Sequence, residues 1–221
     1  MDTPRTTTRP ARLRRTGALL AAALALPLAL SSCTTGAAAS GDPTPGTPAT
    51  AGATTDAVTA GTILSSHGIT TTDVVEVIDT LDSQPLDERP EGLTASVRPR
   101  ELLVSDDQGR QASLPLPEDR FYLSVAPWVT GTHDCFFHSL TTCTGELRDT
   151  TVHVRVTDGA TGEVLVDADL RTHDNGFVGL WLPRGIQDAT LSVEAGGRSA
   201  TTQFSTGGDE DATCLTTLQL G

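Results

Sequence analysis

One short segment holds the densest group of soft metal-binding side chains in this sequence. Between residues 132 and 143 the chain reads Thr-His-Asp-Cys-Phe-Phe-His-Ser-Leu-Thr-Thr-Cys. This run places two imidazoles and two thiols within eleven residues: His133, Cys135, His138 and Cys143. A third thiol, Cys214, lies close to the C-terminus. If 132–137 is extended, His133 and Cys135 share one face, and His138 points to the other unless the strand ends near it.

These donors suit a soft metal ion. Copper(I) binds two or three thiolates and also accepts imidazole, whereas structural zinc usually requires a fourth ligand and shorter Cys-x2-Cys spacing. The only methionine is Met1, so thioether ligation is excluded once the N-terminus is removed. Two other readings of the thiols stay open: a disulfide that staples the fold, and a thiol that attacks a disulfide formed by the other two.

The N-terminus predicts export. Five arginines precede an apolar run from Gly17 to Leu30, which is followed by Ser31-Ser32-Cys33. This pattern indicates a lipoprotein signal peptide over residues 1–32, with Cys33 as the lipidation site that anchors the chain to a membrane. Residues 33–55, rich in Ala, Thr, Gly, Pro and Ser, predict a flexible tether.

Export also constrains the cysteines, because paired thiols oxidise in the cell envelope. With Cys33 lipidated, the folded part keeps three cysteines, an odd number that cannot pair completely. Either one disulfide coexists with a lone thiol, or the thiols stay reduced for a soft metal.

The charge excludes nucleic acid as a partner. Removal of residues 1–32 deletes five arginines and one aspartate, which changes the net charge from -13 to about -17. The sequence also lacks a phosphate-binding glycine loop, a nucleophile elbow and a paired-carboxylate arrangement. We therefore expect a binding protein and no enzyme, although its thiols have the chemistry to reduce Cu(II) stoichiometrically.

The folded part divides into two regions, and the fold class is mainly β. Over 56–119 the apolar spacing predicts two short helices and a β-hairpin, with strands over 93–104 and 110–116. We expect this small α+β part to form a homodimer, since its apolar faces must pack against the rest of the chain or a second copy. Over 120–221, short strands separated by Gly and Asp turns predict an antiparallel β-sandwich of Ig-like or transthyretin-like type.

Several longer motifs resemble the CueP family of copper-resistance proteins. They are Phe121 to Pro127, the run 132–143 continuing to Gly145-Glu146-Leu147, Asn175-Gly176-Phe177 with Leu180 to Pro183, and Thr213 to Leu220. The resemblance covers residues 56–221. It implies a copper-binding protein of the cell envelope that buffers copper and delivers Cu(I) to an exported cuproenzyme such as Cu,Zn superoxide dismutase.

The resemblance also implies a dimer built through the N-terminal part. The cysteines of the family fall on Cys135, Cys143 and Cys214, with His133 and His138 as nearby ligands. The enterobacterial relatives are soluble periplasmic proteins, whereas Cys33 predicts an anchored protein here.

Overall fold

The computed structural model describes residues 49–221, and this part of the chain begins with two helices. Helix α1 spans Ala49–Ser66 and helix α2 spans Val74–Ser83. The chain turns away from the first helix at Gly68, whose φ of 82° lies in the left-handed region that glycine tolerates best. Asp73 caps the start of the second helix, and its carboxylate accepts hydrogen bonds from the backbone N–H groups of Val75 and Glu76.

Helix α1 shortens the predicted tether. Composition places the tether at 33–55, but the helix already begins at Ala49. Alanine has the highest intrinsic helix propensity, and no proline interrupts the chain between Ala49 and Ser66. The predicted signal peptide, the lipidation site Cys33 and the tether before residue 49 lie outside the described residues. Within 49–221, neither helix has the length and apolar character needed to cross a bilayer.

The predicted hairpin is a three-stranded antiparallel sheet. Strand β1 is Leu93–Val97, β2 is Glu101–Asp106 and β3 is Gln111–Pro115, in the order β1-β2-β3. The expectation of one continuous strand over 93–104 was wrong, because Pro99 has no N–H to donate and the chain turns there. The turn between β2 and β3 includes Gly109, at a φ of 77°.

The helices cover the β1-β2-β3 sheet and form one hydrophobic core with it. Tyr122 and Leu140, from the C-terminal part of the chain, are buried in the same core, and Trp181 packs against it. The apolar faces of the N-terminal part are thus packed at least partly against the rest of the chain. The homodimer stays a prediction.

The predicted β-sandwich is confirmed. One layer contains β4 (Arg120–Val125), β7 (Val178–Pro183) and the short β10 (Cys214–Leu215). The other layer has the order β6-β5-β8-β9, formed by β5 (Thr151–Asp158), β6 (Val164–Arg171), β8 (Ala189–Ala195) and β9 (Arg198–Phe204). Alternate residues of the strands point between the layers and form a second core, which includes Phe121, Leu123, Val154, Leu180, Leu191 and Val193.

Strand β10 positions the C-terminal end of the chain. It runs parallel to β4, with Cys214 opposite Ser124 and Leu215 opposite Val125. Backbone N–H groups of Ser124 and Ala126 donate to carbonyl oxygens on this strand and just before it, each at 2.9 Å. The pairing brings the thiol of Cys214 to the end of β4, beside the segment 132–143.

Candidate metal centre

Four side chains that bind soft metals converge at this end of the sandwich. Ligand atoms of Cys135, His138, Cys143 and Cys214 all lie within 4.8 Å of one another. The sulfur of Cys143 is 3.5 Å from the sulfur of Cys135, and the sulfur of Cys214 is 3.7 Å from Nδ1 of His138. Cys135 is partly exposed and the other three are buried, so the group lies just beneath the surface.

Two of the thiols are joined. Cys135 and Cys214, 79 residues apart in sequence, form a disulfide with a Cα–Cα distance of 5.7 Å. Cys143 is a free, buried thiol. Of the two alternatives left open by the odd cysteine count, the structure has one disulfide beside a lone thiol.

Backbone hydrogen bonds hold the segment 132–143 against both of its neighbours. The carbonyl oxygen of Phe136 accepts the N–H groups of Thr213 and Cys214, at 3.0 and 3.1 Å, which fixes the loop to the start of β10. On the other side, the N–H of Val97 in β1 donates to the carbonyl of His138 at 2.8 Å. The Thr213 hydroxyl connects the two contacts, since it accepts the N–H of His138 and donates to the carbonyl of Val97.

The loop conformation decides where the two histidines lie. Residues 132–137 form an irregular loop that bends at Phe136 and Phe137, so strand alternation does not apply. The condition of an extended segment is therefore not met, and His138 lies among the sulfurs. His133 lies outside the group of four, with its ring centroid 6.2 Å from that of Phe177.

His138 is fully buried, and a buried carboxylate holds its far side. Nε2 of His138 is 2.9 Å from Oδ1 of Asp82 on helix α2. Burial alone lowers the pKa of His138, but the charge and hydrogen bond of Asp82 outweigh burial and raise the pKa to about 9. Asp82 responds in the opposite sense: burial raises the pKa of its carboxyl group, and the His138 ring outweighs this and keeps the pKa below its usual value.

The free thiol of Cys143 is tuned by the same neighbours. Burial raises the pKa of this thiol, but the His138 ring, with a smaller contribution from His133, outweighs burial and lowers the pKa to about 7. Near neutral pH a substantial fraction of Cys143 is therefore thiolate, the form that both binds metals and attacks disulfides.

His133 contributes at the edge of the site. It approaches the sulfur of Cys143 closely enough to lower the thiol pKa. Its Nε2 is buried and has no hydrogen-bond partner among the described residues. The structure thus brings Cys135, Cys143, Cys214 and His138 into one group and leaves His133 adjacent to it.

The sequence analysis missed the residues that support the site. Asp82 binds His138, the Tyr122 hydroxyl donates to Asp82, and Asn175 donates to Asp82 through its side-chain amide. Phe177 packs on the His138 ring, with centroids 4.6 Å apart. One sequence signal was available for Asp82: it falls four residues after Ile78 and next to Leu81, on the apolar face of a helix where a charge needs a partner.

The chain is similar to known copper-binding proteins in both sequence and structure. The family model described as "Periplasmic copper-binding protein CueP" matches residues 76–219, which include the three thiols and both histidines. The chain is also similar to the crystal structure of S.CueP, with 39% sequence identity and a TM-score of 0.67, over 73% of this chain and 97% of that one. No curated protein sequence matches the chain. The region matched by the family model contains the buried thiols and imidazole, and the structural match covers nearly the whole of the solved relative. The chain therefore belongs to the CueP family of periplasmic copper-binding proteins.

Proposed function

We propose that the chain binds Cu(I) through Cys135, Cys143 and Cys214, with Nδ1 of His138 as a further ligand. The observation that carries this proposal is the convergence of the four donors within 4.8 Å. Three sulfurs and one imidazole form a soft ligand set, which suits Cu(I) and disfavours hard cations such as Mg²⁺ and Ca²⁺. His133, adjacent to the group, is a candidate for an outer or alternative ligand.

The redox state of the thiols determines when copper binds. The disulfide between Cys135 and Cys214 removes two of the three thiolates, and its reduction consumes two electrons and two protons. In the reverse direction, the two thiols form the disulfide, release two protons and give two electrons, which convert two Cu(II) ions to two Cu(I) ions. The protein would thus reduce Cu(II) stoichiometrically, and an external dithiol would restore the thiols.

The predicted export signal and the family membership support a wider role in copper handling. We infer that the protein buffers copper in the cell envelope and passes Cu(I) to an exported cuproenzyme, such as Cu,Zn superoxide dismutase. A lipid on Cys33 would anchor it to the membrane, and pairing through the N-terminal part would make it a homodimer. Membrane fractionation of a Cys33→Ser variant tests the anchor, and light scattering of the mature protein tests the dimer.

The decisive experiment measures copper binding directly. We expect anaerobically reduced protein to bind Cu(I) in competition with a chromophoric chelator, and X-ray absorption to count more sulfur than nitrogen neighbours. Serine substitution of each of the three thiols should weaken binding. His138→Ala should also weaken binding, whereas His153→Ala should leave it unchanged, because His153 is half-exposed on β5, bonds Asp167 and Asp169, and lies outside the group of four. If all three serine variants keep the wild-type affinity, the metal proposal fails.

One observation favours a second candidate, a thiol-disulfide oxidoreductase. The Cys143 sulfur lies 3.5 Å from Cys135 of the disulfide, close to the position needed to attack it and release Cys214. Metal-free reduction or isomerisation of a protein disulfide, at catalytic rather than stoichiometric amounts, would favour this candidate. A disulfide that neither copper nor mild reductant alters would instead indicate a structural, stapling role.

A further inference from the structure

A buried carboxylate at the end of helix α2 lies beside the metal centre but is not one of its proposed ligands. Asp82 is 1% exposed and lies in the last turn of the helix, where the helix dipole disfavours a negative charge. A carboxylate buried there is costly unless it is fully hydrogen-bonded. Its partners therefore indicate what it does.

Three side chains converge on this carboxylate, and all come from the C-terminal part of the chain. The Tyr122 hydroxyl donates to Oδ2 at 2.6 Å, and the Asn175 amide donates to Oδ1 at 3.0 Å. The same amide donates to the backbone carbonyl of Asp82 at 2.8 Å, so the carboxylate is fixed from two sides. Tyr122, Asn175 and the third partner, His138, are all buried.

The remaining partner is the imidazole of the metal centre. Oδ1 of Asp82 is 2.9 Å from Nε2 of His138, while Nδ1 of the same ring is directed at the sulfur of Cys214, 3.7 Å away. A carboxylate accepts hydrogen bonds only, so Nε2 must carry the proton. When a metal displaces the proton of Nδ1, the lone pair becomes available on that nitrogen, which faces the sulfurs, while Nε2 keeps its proton. Phe177 packs against the ring and limits its rotation.

We propose that Asp82 is a positioning residue for copper binding: it holds His138 with Nε2 protonated and Nδ1 presented to the three sulfurs. Helix α2 thereby becomes part of the metal site although it supplies no ligand. Carboxylates that orient a ligating histidine in this way fix its tautomer and increase its basicity, and their removal commonly costs about 10- to 100-fold in metal affinity. The proposal rests on the proposed Cu(I) function.

The first test uses the wild-type protein and ¹⁵N-histidine NMR. In the copper-free protein we expect a slowly exchanging His138 Nε2–H signal shifted downfield by the buried carboxylate, identified by its loss in His138→Ala. On addition of Cu(I), Nε2 should keep its proton and Nδ1 should shift. Loss of the Nε2 proton when copper binds would overturn the proposal.

The second test is a double-mutant cycle on Cu(I) affinity. Asp82→Asn should weaken binding by about 10- to 100-fold, and in a His138→Ala background it should have no further effect, because Asp82 acts only through that ring. Asp79→Asn is the matched control, since this carboxylate lies three residues earlier on α2 and accepts the Trp181 ring N–H. Unchanged affinity in Asp82→Asn, or an equal loss with and without His138, refutes the positioning role.

The two proposals fail in different ways. Reduced wild-type protein that takes up no Cu(I) overturns the proposed function itself. Cu(I) uptake that is normal in wild type and in Asp82→Asn alike overturns only the role of Asp82. Because a buried carboxylate also stabilises the fold, urea unfolding of each variant must accompany the affinities. The wild-type NMR test remains decisive if Asp82→Asn does not fold.

Discussion

Reduction of the Cys135–Cys214 disulfide should lower the stability of the fold by an amount that the loop length predicts. The bond closes a loop of 79 residues. In the chain-entropy model a loop of this length stabilises the folded state by about 4.5 kcal/mol, because the cross-link restricts the unfolded chain. For a domain of this size, that loss corresponds to a fall in Tm of about 9 to 18 °C.

Copper should return part of this stability, because an ion that binds only the folded state adds free energy by mass action. Free Cu(I) at 100 times its Kd contributes about 2.7 kcal/mol. Reduction without copper would therefore leave the protein in its least stable state. Because Cu(I) stabilises the reduced protein, we expect the reduced thiols to bind copper soon after the disulfide is broken.

Urea unfolding followed by the fluorescence of Trp128 and Trp181 measures these changes in oxidised, reduced and reduced copper-loaded protein. Cys143→Ser keeps the disulfide and should retain the response to reductant. The double variant Cys143→Ser/Cys214→Ser leaves no thiol beside Cys135 to pair with and should unfold like the reduced protein with or without reductant. A difference below about 1 kcal/mol between oxidised and reduced wild type would refute the reasoning, because it would show that other contacts restrain the same segments.

Three further predictions concern the surroundings of the site. Alkylation of Cys143 in the oxidised protein should rise with pH through a midpoint of about 7, since the thiolate reacts and its pKa is lowered to that value. The Glu146 carboxylate accepts hydrogen bonds from the Thr130 hydroxyl and from the N–H groups of residues 129–131, which together lower its pKa to about 2 from an ordinary 4.5. Its stabilisation of that loop should be complete above pH 4.5 and lost as the pH falls through about 2, measured by hydrogen exchange at Val129. Gly176→Ala should lower the free energy of unfolding by more than about 1 to 2 kcal/mol, because φ is 80° and the added Cβ would lie 2.5 Å from the Gly145 carbonyl oxygen.

Each of these predictions has a control variant or a result that would contradict it. A midpoint above about 8.5, the ordinary thiol value, would contradict the tuning of Cys143. Glu146→Gln should remove the pH dependence of hydrogen exchange at Val129. If the acid transition persists in this variant, another group is responsible for it. Gly109→Ala has a similar φ of 77° with no atom within 4 Å of the added Cβ, so it should cost less than Gly176→Ala. Equal losses at the two positions would show that the close backbone crossing does not matter.

Local pattern was sufficient for most of the elements. The turn residues and alternating apolar positions gave the sandwich strands over 120–205, and the spacing of valines and leucines gave both helices. Prediction failed where a local signal was too short or was overridden. Strand β10 has two residues, fewer than any periodicity needs, and Pro99 divided a segment whose composition was otherwise that of one strand.

By itself, the sequence determined the inventory of the site: three thiols and two imidazoles, an odd number of cysteines after Cys33, and no methionine after Met1. Only the tertiary structure decided which of them meet. The parallel pairing of β10 with β4 brings Cys214 to Cys135 across 79 residues, and the loop bend at Phe136 turns His138 inward while His133 stays at the edge of the group. Contacts between distant segments carry no periodic signal, since they arise when separate hydrophobic faces pack. For the same reason, the Asp82 carboxylate beneath the imidazole became visible only in the folded chain.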